Sequence, residues 1–334
     1  MSTGVLLFNL GGPEKLEDVR PFLFNLFSDP NIIHIRNDAL RNLLAWFIAT
    51  TRQRKSRGLY RQIGGGSPLR KITEGQAVAL SARLAERGFS SRVYVGMRCW
   101  RPTIDEAVTQ ILGDGVTKLI VLPLFPQFSV TTTGSCFRYF RSLADQNGLS
   151  SKAQIVYVDA WYDNPLYLAS MAELIEQAID GFPDPKPERV QLLYSAHSIP
   201  ARYVVEGDPY LEQTQKTVDL INRRLGSRAP STLAFQSKVG PVKWLEPSTV
   251  DVLEQFGRDG VRQVLAIPIS FVSDHIETLQ EIDILYKDLA GKTGIAEFRR
   301  AAALNLHPKF IDALADIAVS RIKSLDGEAV RWPT

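Results

Sequence analysis

Two stretches of the chain follow an apolar run with side chains that can move protons or hold a metal. The first is Leu192-Leu193-Tyr194-Ser195-Ala196-His197-Ser198-Ile199-Pro200, which reads as a buried strand breaking into small polar residues around one imidazole. The second is Ser273-Asp274-His275-Ile276-Glu277, which follows the apolar run Val264 to Phe271. Imidazole titrates near neutrality, accepts protons and ligates metals. A lone histidine in a strand-to-turn segment is more often structural, so the second cluster, with two carboxylates and another imidazole, is what tips the reading toward chemistry. Ligands bind at the carboxyl ends of strands in open parallel sheets, and two polar strand ends therefore point to one shared cleft.

The elements that must position these residues follow an alternating pattern. Strands are expected at Val5 to Leu10, Arg92 to Met97, Lys118 to Leu122 and Gln154 to Val158. A second set is expected at Val190 to Ala196, Thr232 to Gln236, Gln263 to Ile267 and Ala296 to Arg299. Helices are expected at Glu14 to Phe27, Asp38 to Arg54, from Pro68 to Arg87, after Pro102, Thr133, Pro165, Pro209, Pro247 and His275, and from Pro308 to Lys323. Such alternation means parallel sheets covered on both faces, an α/β fold.

An internal repeat implies two lobes. Arg101-Pro102-Thr103 and Glu246-Pro247-Ser248 lie 145 residues apart, and so do Asp114-Gly115-Val116 and Asp259-Gly260-Val261, and Pro123 and Pro268. Leu6-Leu7-Phe8-Asn9 and Leu192-Leu193-Tyr194-Ser195 match at a different offset, so the first half carries an insertion at about residues 22–71. The length of 334 residues fits two lobes, with Pro183-Asp184-Pro185-Lys186-Pro187 as the candidate linker. Duplicated units facing each other would place a ligand cleft between their strand ends.

Composition narrows the function. Lys+Arg number 39 against 36 Asp+Glu, so no bulk basic field argues for nucleic acid. No stretch approaches the ~20 apolar residues of a membrane span, and nothing resembling a secretory leader precedes the first strand, so a cytoplasmic location is expected. The two cysteines, Cys99 and Cys136, exclude a disulfide scaffold and a cysteine-only zinc or iron–sulfur site. The Gly64-Gly65-Gly66-Ser67 run before a helix could cradle an anion, but no Gly-Lys-Ser/Thr follows it, and Gly11-Gly12 lacks dinucleotide-binding spacing, so nucleotide binding is disfavoured. The insertion holds aromatic-rich Pro21-Phe22-Leu23-Phe24-Asn25-Leu26-Phe27 and Leu43-Leu44-Ala45-Trp46-Phe47-Ile48, followed by Arg52, Arg54, Lys55 and Arg57. It reads either as a core helix with a solvated basic end or as an apolar lip over a greasy, acidic ligand that touches a membrane interface.

Several motifs together carry a family resemblance. Phe8-Asn9-Leu10-Gly11-Gly12-Pro13, Tyr60-Arg61-Gln62-Ile63-Gly64-Gly65-Gly66-Ser67-Pro68, Pro126-Gln127-Phe128-Ser129 with Thr133-Gly134-Ser135, Ser195-Ala196-His197-Ser198-Ile199-Pro200, Phe235-Gln236-Ser237-Lys238-Val239-Gly240-Pro241 and Ser273-Asp274-His275-Ile276-Glu277-Thr278-Leu279 resemble the ferrochelatases in family order from about Gly4 to His307. The bacterial and cyanobacterial-type members without a C-terminal tail are the most similar. The resemblance implies a lyase of heme biosynthesis that inserts Fe2+ into protoporphyrin IX and releases two protons. It implies the chelatase-like fold of two Rossmann-like lobes, each a parallel four-stranded sheet flanked by helices. On this reading residues 1–160 form the first lobe, with the insertion at 22–71 as a porphyrin lip and a C-terminal helix 307–324 completing it, and residues 161–306 form the second.

Carried over residue by residue, the resemblance makes His197 and Glu277 the catalytic pair and the metal-contacting groups, with Asp274 and His275 as a supporting relay. Leu10, Arg52, Tyr60, Ser67, Arg98, Phe128, Trp244 and Phe271 become porphyrin contacts, Arg52 near the propionates and the aromatics against the macrocycle. Crowding around Glu277 is expected to raise its carboxyl pKa, and Glu281, one helical turn on, reads as a control for simple charge loss near the site. Cys99, Phe125 and Phe128 stand where many members have tyrosine, and Leu10 where gram-positive members have one. No permanently bound cofactor and no iron–sulfur cluster is expected, iron being the substrate. Expected partners are protoporphyrin IX and ferrous iron, with peripheral contact at the inner face of the plasma membrane through the lip, in a monomer or homodimer. A coproporphyrin III ferrochelatase or other tetrapyrrole metal chelatase is the alternative function, and a non-catalytic tetrapyrrole carrier, which would need neither Glu277 nor the acid cluster, is the less favoured one.

Overall fold

The computed structural model of the chain describes all residues except Met1, His34, Val239, Pro241 and 327–334. It divides into two compact units: Met1–Phe125, Ser129–Trp161 and Phe310–Thr334 form the first, and Pro126–Phe128 with Tyr162–Lys309 form the second.

The first unit is built on four parallel strands, β1 (Thr3–Asn9), β2 (Ser91–Met97), β3 (Lys118–Pro123) and β4 (Gln154–Tyr157), in the order β2-β1-β3-β4. The second has β5 (Gln191–His197), β6 (Ser231–Gln236), β7 (Gln263–Pro268) and β8 (Glu297–Arg300) in the equivalent order β6-β5-β7-β8, again all parallel. The expected architecture of two four-stranded parallel sheets flanked by helices is what the chain adopts.

The 145-residue repeat extends to local conformation. Thr103 caps the helix Ile104–Gly113 by accepting from the amide of Glu106, and Ser248 caps Thr249–Arg258 by accepting from the amide of Asp251. A short hydroxyl side chain is favoured there because it satisfies an amide that the first helical turn leaves unpaired. The peptide bonds before Pro102 and Pro247 are both cis.

The central strands are buried because both faces are covered. In β1, Val5 to Phe8 are fully buried, and in β5 every residue from Leu192 to Ala196 is. Each large apolar side chain so placed contributes about 1.5–3 kcal/mol of burial free energy. Continuous burial cannot extend past the end of the sheet, so His197, the last residue of β5, is the first on that strand to emerge from the core.

Three expected elements differ in detail. The Glu14 to Phe27 segment begins as a 3-10 turn, Leu16–Asp18, and becomes α-helical only over Val19–Phe27, with Pro21 in its first turns. The second helix of the insertion runs on to Gln62, eight residues past Arg54, because no proline interrupts it and Gly58 is flanked by good helix formers. The helix after His275 winds as a π-helix over Glu277–Tyr286 before reverting to α over Lys287–Lys292.

The glycine loop is not an anion cradle. The Ser67 amide donates to the Pro13 carbonyl at 2.7 Å, and a Cβ on Gly66 would lie 2.0 Å from the Glu14 carbonyl oxygen. The glycine there permits the loop to pack against the Gly12-Pro13-Glu14 backbone.

Candidate functional site

The end of β5, the end of β6 and the start of the π-helix bring five polar side chains together in the second unit. His197 Nδ1 lies 2.8 Å from Glu277 Oε2. Nδ1 next to a carboxylate is the protonated nitrogen in the neutral ring, which leaves Nε2 as the basic one; Nε2 has no hydrogen-bond partner among the described residues. The backbone at His197 is held from behind, since Tyr210 donates its hydroxyl to the His197 carbonyl at 2.8 Å and sits 2.6 Å from Ser270 Oγ.

A third group stands behind this pair. Glu281 accepts from the Ser237 hydroxyl at 2.5 Å, the Ser237 amide at 3.0 Å, Gln236 Nε2 at 3.1 Å and the Tyr286 hydroxyl at 2.7 Å. Ser237 Oγ also approaches Glu277 Oε2 at 3.3 Å. Gln236 is fixed in turn by the buried Ser195 hydroxyl, which donates to its Oε1 at 2.6 Å, and it offers its amide group to the Glu277 carbonyl as well. Glu281 is thus part of the network, and the expectation that it serves as a control for simple charge loss is corrected.

Electrostatics separate the members. Burial pushes the Glu277 carboxyl up, but the His197 charge, its hydrogen bond and His275 outweigh that and hold it well below the usual carboxylate range. This reverses the expectation of a raised Glu277, because crowding by a cation lowers a carboxyl pKa where crowding by anions raises it. Glu281 is the raised one: burial and the Glu277 charge lift it against the Ser237 and Tyr286 hydrogen bonds. Burial disfavours the charged His197, yet Glu277 and, further off, Glu281 overcome it and leave it above its ordinary value. Burial lowers His275. Its Nδ1 lies 3.1 Å from the Ser273 carbonyl and can only donate there.

Asp274 sits apart from this network. Its oxygens accept from Thr278 at 3.1 Å, Asn305 at 2.7 Å and Arg300 at 3.0 Å, so its charge is spent on holding the turn to β8 and the loop after it. His275 Nε2 is 3.9 Å from Glu277 Oε2, and Phe271 packs on the His275 ring at 4.4 Å between centroids and edge-on to His197 at 6.2 Å. Trp244, bridged to Pro200, is half-buried with its ring N–H lacking a hydrogen-bond partner among the described residues. Phe128 is half-buried, and its amide donates to Gln213. Two residues of the motif after β6, Val239 and Pro241, lie outside the described residues.

The remaining predicted contacts lie in the first unit. Leu10 is half-buried and accepts from the Cys99 amide at 2.9 Å; Tyr60 is buried; Ser67 caps the turn into the helix Leu69–Glu86 by accepting from the Leu69 amide. Arg52 is exposed, with its guanidinium 5.7 Å over the Phe27 ring. Arg98 points inward instead, to Asp29 at 3.0 Å, Ser135 at 3.1 Å and the Tyr139 ring at 4.3 Å. Sequence reasoning missed Glu281, Gln236, Ser237 and Tyr286; the only signal was that Gln236 and Ser237 lie in a motif at a strand end.

Among the described residues no group of three or more His, Cys, Asp or Glu is arranged to hold a metal ion, and no helix is long and apolar enough to cross a membrane.

Comparison with known proteins places this arrangement. A family model described as Ferrochelatase matches residues 2–322. The relative described as Ferrochelatase from Gloeothece citriformis is 51% identical over 320 residues, spanning 96% of this chain and 82% of its own. That from Trichodesmium erythraeum is 49% identical over the same shares. Among solved structures, SirB from Bacillus subtilis with Fe3+ superposes with a TM-score of 0.56 at 13% identity, covering 98% of each chain. CbiX, described as the terminal enzyme for biosynthesis of siroheme in denitrifying bacteria, does so with a TM-score of 0.50 at 14% identity, covering 96% of this chain and 99% of its own. These two share the fold. With the family matched over nearly its whole length, this chain belongs to the ferrochelatases, lyases of heme biosynthesis that insert ferrous iron into protoporphyrin IX.

Proposed function

We propose that His197 accepts the protons of the porphyrin pyrroles and that Glu277 orients it and shares the contact with incoming iron. The observation that carries this is the 2.8 Å bond from His197 Nδ1 to Glu277 Oε2 at the end of β5, which fixes the ring tautomer and leaves Nε2 basic. A pyrrole N–H is far too weak an acid to yield its proton to imidazole unaided. A divalent cation approaching the ring nitrogens reverses that balance, as coordination does for ligand protons generally. Iron therefore arrives as the protons leave, and a base beside the ring is needed at that moment.

Imidazole and carboxylate are both ligands for ferrous iron. A site of only two protein ligands leaves the other positions to the macrocycle and water, which suits a metal that is handed on. Phe271 and Trp244 are the aromatic surfaces of the second unit for the ring face; stiff walls that favour a bent macrocycle bind a shape nearer the transition state. Asp274 and His275 support this centre from behind: Asp274 anchors the turn, and His275 packs at a tilt against Phe271.

In the first unit, Arg52 suits a propionate because its guanidinium is exposed, and Leu10, Tyr60 and Ser67 are the other proposed porphyrin contacts. Arg98 serves them indirectly, by tying down the loop at Asp29. The exposed face of Leu40, Leu43, Trp46 and Phe47, followed by Arg52, Arg54, Lys55 and Arg57, suits a greasy ring with acidic groups, and the same chemistry suits a membrane interface. Iron is substrate here, and Cys99 and Cys136 alone fall short of the thiolate set that an iron–sulfur cluster needs.

The test is His197→Ala, assayed anaerobically for iron insertion and, by quenching of porphyrin fluorescence, for binding. We expect insertion to be abolished and porphyrin to bind within about threefold of the parent, since the base acts on the chemical step. Near-normal turnover in a variant with an unchanged circular-dichroism spectrum would return His197 to a structural role.

A further inference from the structure

We propose that Ser237 is a positioning residue that holds the Glu277 and Glu281 carboxylates in a fixed relation behind His197. The proposal rests on the reading of His197 and Glu277 as the reaction centre. Ser237 has φ +66°, in the left-handed region that side chains other than Gly and Asn rarely enter. Such a conformation costs free energy and persists only where the surroundings over-determine it. Here the gain is visible: the twist turns the amide toward Glu281 Oε1 at 3.0 Å and the hydroxyl toward Glu281 Oε2 at 2.5 Å and Glu277 Oε2 at 3.3 Å.

One hydroxyl group therefore stands between two carboxylates that would otherwise repel each other across the start of the π-helix. A glycine would adopt the same φ with less strain and keep the amide bond, but it would lose that hydroxyl. The other donors to Glu281, Gln236 Nε2 and the Tyr286 hydroxyl, fix it from β6 and from the π-helix itself. The one proton of the Ser237 hydroxyl is directed chiefly at the nearer acceptor, Glu281, and shared with Glu277 Oε2; no other side chain among the described residues is shared by both carboxylates. Without Ser237 Oγ, Glu277 keeps only its contacts to the two imidazoles, and its oxygens become free to turn from the geometry that orients His197.

Two variants separate hydroxyl from backbone. Ser237→Gly removes the hydroxyl and relieves the strain; Ser237→Ala removes the hydroxyl and retains it. We expect kcat for iron insertion to fall about tenfold to a hundredfold in both, the scale of a misplaced catalytic group, with porphyrin affinity by fluorescence quenching within twofold of the parent and Ser237→Gly melting no lower than Ser237→Ala. Turnover of Ser237→Gly within twofold of the parent would show that only the backbone matters and overturn the proposal. So would a loss of porphyrin affinity as large as the loss of kcat. His197→Ala in the same assay tells the two readings apart: inactive His197→Ala beside a normal Ser237→Gly sinks this inference alone, whereas active His197→Ala sinks the centre on which it rests.

Discussion

Glu277→Gln keeps the shape of the side chain and removes one charge, so its consequence can be worked from the geometry. The Glu277 carboxylate and the His197 imidazolium have charge centres about 4 Å apart, and at an effective dielectric of about 20 such a pair interacts by about 4 kcal/mol. The His197 side chain is 39% exposed, and solvent screening reduces the useful part to about 1–2 kcal/mol. A carboxamide can also present either its oxygen or its NH2 group to Nδ1, so the tautomer with a basic Nε2 is no longer enforced. Together these amount to a fall in kcat of about 100-fold, or about 2.7 kcal/mol of barrier, read by anaerobic steady-state insertion at saturating porphyrin and iron.

The pH dependence gives the sign. Glu277 raises His197 and is itself lowered, so the base form of His197 accumulates at higher pH in the parent than in Glu277→Gln, and the acid limb of kcat/KM moves to lower pH in the variant. For stability, the raised His197 contributes fully below the ordinary imidazole value and loses its contribution as pH rises through its folded value. The lowered Glu277 contributes above the ordinary carboxyl value and loses its contribution as pH falls through its folded value. The stability difference between parent and variant, about 1 kcal/mol after screening, is therefore largest between about pH 4.5 and 6.5 and fades above and below. An acid limb that stays in place, or turnover within threefold of the parent, would refute the claim that Glu277 acts through His197.

Three further outcomes are expected. Asp29→Asn should lower stability to chemical unfolding by about 3–5 kcal/mol, because Asp29 is 1% and Arg98 12% exposed and an unpaired buried guanidinium remains; a loss below 1 kcal/mol would mean the pair is not needed to hold that loop. Arg52→Glu should raise KM for porphyrin more than it lowers kcat, since a propionate contact acts in ground and transition states alike; if KM holds while sedimentation with anionic vesicles falls, the basic run meets lipid instead. Changing Cys99 and Cys136 together to Ala should leave turnover per folded molecule unchanged and reveal no iron–sulfur absorbance before or after, because two cysteines fall short of the thiolate set that a cluster needs. Loss of bound iron with loss of activity would contradict this.

What could be read from the sequence was whatever a single segment encodes. Continuous apolar runs ending in Gly11-Gly12, Ser195 and Pro268 marked the central strands, because a strand covered on both faces has no polar side. The 145-residue register of Pro102 with Pro247 marked the duplication, because the same cap and turn chemistry was needed twice. His197 and Glu277 were legible as polar residues at strand ends. Their partners were not, because partnership is set by which ends the sheet order brings together: β6 lies beside β5, which carries Gln236 and Ser237 to residues some 40 positions later.

Asp274 shows the converse error and its electrostatic consequence. It lies three residues from Glu277 in sequence and looked like a member of the same acid cluster, yet Arg300 on β8 sits between it and Asp283, 3.0 Å from one and 2.8 Å from the other. That cation offsets one of the two outlying carboxylate charges and ties Asp274 to β8. Glu277 and Glu281 are then left chiefly to the His197 imidazole, since burial disfavours the charged form of His275 beside them. Two carboxylates facing one imidazole leave an excess of negative charge when Glu281 ionises, and a half-buried anionic site of that kind draws a divalent cation toward the same atoms from which protons must depart. The pairing of Arg300 with Asp274 and Asp283, legible only in three dimensions, thus turns Asp274 away from that excess, which stays with Glu277 and Glu281 beside the proposed proton acceptor, His197.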